Sequence, residues 1–130
     1  MTTFKSQENM YEVLGGLFED LLKDESVVNA LQKAEVTTCF QLTDPEGKIW
    51  ITADGRVLYG HQDTKATVTM ILSGDTCHKF WLRKISMPLA LAKGLIKAKG
   101  PMNKVLKLLP LMKPAFENYP AQAQKFGLAV

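Results

Sequence analysis

Residues 91–112 read LAKGLIKAKGPMNKVLKLLPLM, and within this stretch the hydrophobic period changes while lysine stays the only charged residue type. From Gly94 to Lys99 the order is Gly-Leu-Ile-Lys-Ala-Lys. In extended form it puts Ile96 and Ala98 on one face and Lys97 and Lys99 on the other. Beyond Gly100-Pro101 the spacing turns helical, with Met102, Val105, Leu106, Leu109 and Met112 recurring at intervals of three and four. Lys104, Lys107 and Lys113 flank that apolar set. With Leu108 and Leu111 included, the apolar arc is wider than one sheet face needs. Pro110 and Pro114 interrupt it, each removing a backbone hydrogen bond and inviting a kink. A strand with a basic face thus runs into a kinked, lysine-bordered apolar helix. That combination suits a lipid handler better than an enzyme.

Upstream, Ser6 to Lys23 reads as a helix with Met10, Val13, Leu14, Leu17, Phe18, Leu21 and Leu22 on one stripe. Ser6 is its N-cap, and Gly15-Gly16 weakens its middle while letting another element or a ligand come close. A shorter helix is expected over Ser26 to Lys33. The period then becomes two: Val36 to Leu42, Lys48 to Ala53 and Arg56 to Tyr59 read as strands joined by turn formers at 43–47 and by Asp54-Gly55. Gly60 to Thr64 is a polar connection, and Lys65 to Leu72 is a fourth strand. Ser73-Gly74-Asp75 begins a helix through about Lys84, and Pro88 breaks the chain before the last strand. The pattern predicts an α+β layer fold, a meander of five mainly antiparallel strands with one face covered by helices, in one domain over residues 1–130.

The 130 residues carry a net charge of +3, which conceals an asymmetry. Met1 to Thr64 has 5 Lys/Arg and 11 Asp/Glu, and Lys65 to Val130 has 11 Lys/Arg and 2 Asp/Glu. Such a split orients a protein toward an anionic surface unless the halves lie side by side and neutralise each other. Cys39 and Cys77 fall in unlike settings, and the polar opening of the chain is not a secretory signal, so free thiols in the cytoplasm are expected. No apolar run approaches the roughly 20 residues that span a bilayer.

Catalytic constellations are missing. His61 and His78 have no second His or Cys at metal-ligand spacing, and phosphate loops and paired carboxylates in an apolar setting are absent. Cys77 and His78 are adjacent, but helix neighbours point about 100° apart, a poor arrangement for a nucleophile and its base. Asp54 and Asp63 read as turn residues. The lysine-rich segment has little arginine and no interleaved aromatics, which argues against nucleic acid. Neither a cofactor nor a metal is expected. Two other readings stay open: an accessory module gripping a hydrophobic partner segment, and an acyl-thioester enzyme using Cys77 or His78.

Lys65-Ala-Thr-Val-Thr-Met-Ile-Leu-Ser-Gly-Asp75 resembles the strand-into-helix segment of the sterol carrier protein type 2 family, typically Ala-Asp-Val-Thr-Phe-Thr-Met-Ser followed by acidic residues. Gly94 to Gly100 is similar to that family's Gly-Lys-Leu-Lys-Ile-Lys-Gly strand, and Trp50 and Asp54-Gly55 fit as well. The resemblance covers most of the chain after Val36. It implies a five-stranded sheet and helices enclosing an apolar tunnel for sterols, fatty acids, fatty acyl-CoA or phospholipids, and a carrier without catalysis. Ala98 stands where the family often has a larger aliphatic residue, and no peroxisomal tail is present. The expected lining is Leu17, Phe18, Leu21, Phe40, Leu42, Val68, Met70, Leu72, Phe80, Trp81, Ile96, Ala98, Met102, Val105, Leu106, Leu109 and Met112. Lys104, Lys107 and Lys113 are expected to meet a headgroup or, transiently, an anionic membrane.

Overall fold

The computed structural model describes residues 3–130; Met1 and Thr2 of the polar opening lie outside the described residues. Helix α1 (Gln7–Leu21) starts at Ser6, whose hydroxyl accepts the Asn9 N–H at 3.0 Å. Its stripe of Met10, Val13, Leu14, Leu17, Phe18 and Leu21 is buried. Gly15 and Gly16 admit neighbours at close range. A Cβ at Gly15 would sit 2.0 Å from the Tyr59 hydroxyl, and one at Gly16 would sit 2.6 Å from Gln122 Nε2. The close approach expected of this pair is therefore filled by the protein's own elements. Helix α2 (Glu25–Ala34) is capped by Asp24 and ends at Glu35, which takes a left-handed conformation with φ 53°.

The five strands are β1 (Thr38–Thr43), β2 (Gly47–Ile51), β3 (Val57–Tyr59), β4 (Val68–Ser73) and β5 (Ile96–Lys99), arranged β3-β2-β1-β4-β5. The expected meander holds only for β1 to β3. β4 lies beside β1 and parallel to it, while the other three pairings are antiparallel. Gly60 to Thr67 carries the chain from the β3 edge back to the centre. Trp50 Nε1 donates to the Gly60 carbonyl at 2.8 Å, and Thr67 N donates to the Thr37 carbonyl at 2.7 Å. Alternation has the same period beside a parallel or an antiparallel neighbour, so strand direction was not readable from it.

Pairing register fixes the faces. Phe40 lies opposite both Ile49 and Met70, and Met70 lies opposite Ala98. These residues, with Leu42, Ile51, Val68, Leu72 and Ile96, face the helices. Gln41, Lys48, Thr69, Ile71, Lys97 and Lys99 take the opposite face. On the helical side Phe18 stacks on Phe40 with ring centroids 5.1 Å apart, and Trp81 packs edge-on to Phe18 at 5.5 Å.

The second half departs from expectation in two places. Pro88 does not break the chain; it sits in the first turn of a short helix α4 (Met87–Ala92) capped by Ser86, a position where its missing N–H costs nothing. The closing helix is two helices. α5 (Met102–Leu111) contains Pro110, and α6 (Lys113–Lys125) starts with Pro114 in its first turn. Helix α3 (Gly74–Trp81) begins where predicted, with the Ser73 hydroxyl accepting the Thr76 N–H at 3.1 Å, but ends before Lys84.

Gly100 ends β5 at φ 118°, and a Cβ there would stand 2.3 Å from the Thr67 carbonyl oxygen. Gly100→Ala is expected to lower stability by about 2 kcal/mol or more, because both the dihedral and the contact are with backbone. Urea denaturation measures it; an unchanged midpoint would contradict this account of the β4–β5 junction.

Candidate functional site

A cleft of about 670 Å³ opens between the end of α3, the connection to α4, and the α5–α6 junction. Phe80, Ile85, Met87, Pro88, Leu106, Leu109, Pro110 and Phe116 form its apolar walls, and Arg83, Ser86 and Lys113 complete the lining. The space is a cleft at the edge of the helical layer, not a tunnel between helices and sheet.

Local sequence explains its walls. α3 stops because Arg83 adopts φ 62°, with its N–H returning to the Phe80 carbonyl at 3.0 Å. A left-handed turn of this kind costs a non-glycine residue roughly 1 kcal/mol. The Arg83 guanidinium lies 5.7 Å from the centroid of the Phe116 ring, a cation–π contact at the cleft. α5 carries two apolar faces. Val105, Leu108 and Met112 are buried, whereas Leu106 and Leu109 line the cleft and Leu106 is 57% exposed. The excess apolar arc of the sequence is this second face.

The charged groups of the cleft are cations only. Among the described residues the ion pairs are Lys23–Asp20, Arg56–Asp54 and His61–Asp63, all within the acidic half. None joins the two halves, so the basic half is not neutralised by direct pairing, and neither Arg83 nor Lys113 has a carboxylate partner.

Of the residues expected from sequence, Phe80, Leu106, Leu109 and Lys113 come together at the cleft. Leu17, Phe18, Leu21, Phe40, Leu42, Val68, Met70, Leu72, Trp81, Ile96, Val105 and Met112 are buried in the core and lie off the cleft wall. Ala98 is half-buried on the inner face of β5, and Met102 is half-exposed at the start of α5. Lys107 is exposed, but Lys104 Nζ donates to the Ala34 carbonyl, which ties α5 to the end of α2. Arg83, Ile85, Met87 and Phe116 were not singled out from sequence, and Pro88 was read only as a chain breaker. The signal available was Ser86-Met87-Pro88, a capped helix start next to an apolar run.

Cys77 and His78 are both buried. Cys77 is fully buried, and burial pushes its thiol up to about 12. His78 Nε2 lies 2.6 Å from the Ala129 carbonyl, which can only accept, so this nitrogen carries the proton. Nδ1 lies 2.7 Å from the Tyr119 hydroxyl and accepts that group's proton when the ring is neutral, the form that burial favours. The ring ties Ala129 to α3 and α6. Both cysteines are free and buried.

The arrangement is an α+β layer fold with an apolar cleft whose charged lining residues are cations. The family model of the SCP-2 sterol transfer family matches residues 17–113, and the chain belongs to that family. Sterol carrier protein domain 2 of Helicoverpa armigera is 27% identical, with a TM-score of 0.64 over 78% of this chain and 83% of that one. Sterol carrier protein 2 of Yarrowia lipolytica in its apo form is 19% identical, with a TM-score of 0.61 over 79% and 89%. Sterol carrier protein 2 of Aedes aegypti, solved in complex with the C16 fatty acid palmitate, is 13% identical, with a TM-score of 0.53 over 75% and 96%. No curated sequence matches this chain. No helix among the described residues is long and apolar enough to cross a membrane.

Burial holds the His78 pKa below its ordinary 6.5. In that interval the unfolded chain binds more protons than the folded one, so stability falls as pH drops below about 6.5 toward the folded value. Asp24, Asp54 and Asp75, held below their ordinary 3.8 first by side-chain hydrogen bonds, lose their contribution only under more acidic conditions. Urea midpoints at about pH 7.5 and about pH 5 should therefore differ in the native chain, and His78→Gln should flatten the difference. An equal slope in the variant would rule out His78 as its source.

Proposed function

We propose that the cleft holds the hydrocarbon part of an anionic lipid, a fatty acid or a lipid bearing a phosphate, non-covalently and without turnover, for transfer or presentation. Residues 1–130 act as one such unit in the cytoplasm. The observation that carries this reading is an apolar cleft whose charged groups, Arg83 and Lys113, are both cations without a carboxylate partner among the described residues. Its 670 Å³ lies within the roughly 300–1,000 Å³ usual for ligand pockets. Family membership and the palmitate held by the Aedes aegypti protein support the ligand class.

The energetics need no chemistry. An acyl chain of about sixteen carbons carries roughly 0.8 kcal/mol of transfer energy per buried methylene, far above the about 8 kcal/mol of a micromolar complex. A bilayer offers the same chain a similar refuge. A carrier therefore needs to match the bilayer, and partial burial in an open cleft is enough. The aromatic walls supply contact area, and the cations select an acidic head over a neutral one. Cys77 and His78 are committed to the core and to the C-terminal tie, which supports a carrier over an acyl-thioester enzyme.

Leu109→Asp places a carboxylate on the apolar wall beside the head's own charge. It is expected to weaken binding of a fluorescent fatty acid about tenfold or more, since an unpaired charge in an apolar site costs well over 1.4 kcal/mol. Lys113→Glu should weaken the fatty acid several-fold, consistent with roughly 1 kcal/mol for an exposed pair, and leave the matching fatty alcohol unchanged. A native chain that takes up no probe and yields no lipid on solvent extraction would end this reading.

A further inference from the structure

The imidazole of His78 is 7% exposed, a buried ring whose ordinary pKa of 6.5 lies close to neutrality. It stands on α3 three residues before Trp81, and Tyr119 stands on α6 three residues after Phe116, so each pair shares one helix face. The two faces meet in two rungs. In one, His78 Nδ1 lies 2.7 Å from the Tyr119 hydroxyl, with ring centroids 5.5 Å apart. In the other, the Trp81 and Phe116 rings lie 4.8 Å apart. Phe116 is also a wall of the cleft. The polar rung therefore sits one helical turn behind that wall.

One side of the imidazole is sensitive to its charge and the other is not. Nε2 donates to the Ala129 carbonyl in both forms. Nδ1 accepts the Tyr119 proton in the neutral ring and becomes a donor in the charged one. The hydroxyl must then turn to accept, and its own proton loses its acceptor on a side chain that is 0% exposed. The charged groups acting on the ring oppose each other: Lys84 disfavours the imidazolium, and Asp75 favours it but is already bonded to the Thr3 N–H at 2.6 Å. The other neighbours bring no charge. They are Tyr119 on α6, the Phe4 ring edge-on at 6.1 Å, the Cys77 thiol and the Ala129 carbonyl.

We propose that the His78–Tyr119 rung is a pH-sensitive joint: protonating His78 parts α3 from α6, frees Phe116 from its fixed position and weakens the cleft's hold on its lipid. The effect on the lipid rests on the carrier reading given above; the joint itself does not. An imidazolium with one N–H unmatched is stabilised by reaching water, and the nearly closed pocket around His78 admits water only when the two helices separate. The Trp81–Phe116 rung, on the same two faces, moves with it. The hold is complete while the ring is neutral and falls as pH drops through the folded midpoint of His78, which burial sets below 6.5.

The test follows binding of a fluorescent alkyl sulfonate, whose head keeps its charge where a carboxylate would not, to the full chain between about pH 7.5 and about pH 5. Affinity should fall about threefold or more across that interval, as expected for loss of a buried hydrogen bond, while far-ultraviolet circular dichroism stays constant. The midpoint of the fall should coincide with that of the His78 imidazole read by nuclear magnetic resonance. In His78→Gln, whose carboxamide supplies both an acceptor and a donor, the affinity should stay level with pH. His61→Gln, altered at the exposed histidine, should keep the native profile. A native affinity that does not change with pH, a midpoint that follows His61, or a profile kept by His78→Gln would each overturn the proposal. Should His78→Gln not fold, the two imidazole midpoints in the native chain decide. A native chain that takes up no probe at about pH 7.5 removes the carrier reading, and hydrogen exchange at the α6 amides then decides the joint. Protection that the native chain loses below the His78 midpoint, beyond the intrinsic effect of pH, and that His78→Gln retains, keeps the joint; equal protection removes it.

Discussion

The rest of the structure depends on one run of aromatic contacts. Phe40 at the sheet centre stacks on Phe18 of α1; Phe18 packs edge-on to Trp81 of α3; Trp81 lies 4.8 Å from Phe116 of α6, which is 5.1 Å from Phe80. The run joins the sheet, α1, α3 and α6, and its outer end is a wall of the cleft. Aromatic pairs add roughly 0.5–1.5 kcal/mol each beyond the area they bury. Because the same rings serve the core and the cleft, that wall cannot shift without disturbing the packing behind it. The opposite wall, on α5, has no comparable commitment: Leu106 is more than half exposed, and the helix is bordered by Pro110 and the Met112 junction.

Charge is arranged with a similar division of labour. In the acidic half some carboxylates are paired locally, Asp24 with Ser26, Asp54 with Thr52 and Arg56, and Asp20 with Lys23. Little of that negative charge reaches the basic half as direct pairs. Lys97 and Lys99 stand exposed on β5, an edge strand, and so also guard against strand pairing with another chain. The net charge of +3 understates the field at the cleft, whose lining charges, Arg83 and Lys113, carry one sign.

Much of this was legible in the sequence where one local rule decides the outcome. Ser6 caps the helix it was expected to cap, α3 begins at the Ser73-Gly74 step where a helix was expected, and the strand–Gly–Pro–helix switch at 96–102 lies where the period changes. What was not legible required long-range information. Alternation in β4 says which side chains are inward but not that its neighbour is β1, 30 residues earlier, and parallel. Pro88 is a breaker or a first-turn residue depending on whether a cap precedes it, and Ser86 decides that. The lining was read from periodicity, which marks apolar faces without distinguishing a face packed against its own chain from one left open. Leu106 and Val105 carry the same pattern; only the assembled neighbours of α5 separate them.

That distinction bears on how such a cleft binds. A core residue such as Phe18 or Met70 has its contacts filled by the protein, and clearing space beside it for a foreign hydrocarbon would forfeit packing worth several kcal/mol. Leu106 and Leu109 have no such contacts to lose on their open side, so covering them gains surface burial at no cost to the fold. On α5, site and core are therefore separable, even though the same helix contributes to both. An open, one-sided site grips a given chain less tightly than an enclosed one, because part of the ligand stays wet. In exchange it places no fixed limit on ligand length and needs no large conformational change for release. Within the proposed reading, both properties suit exchange with a bilayer, where binding much tighter than the membrane's own hold would only slow delivery.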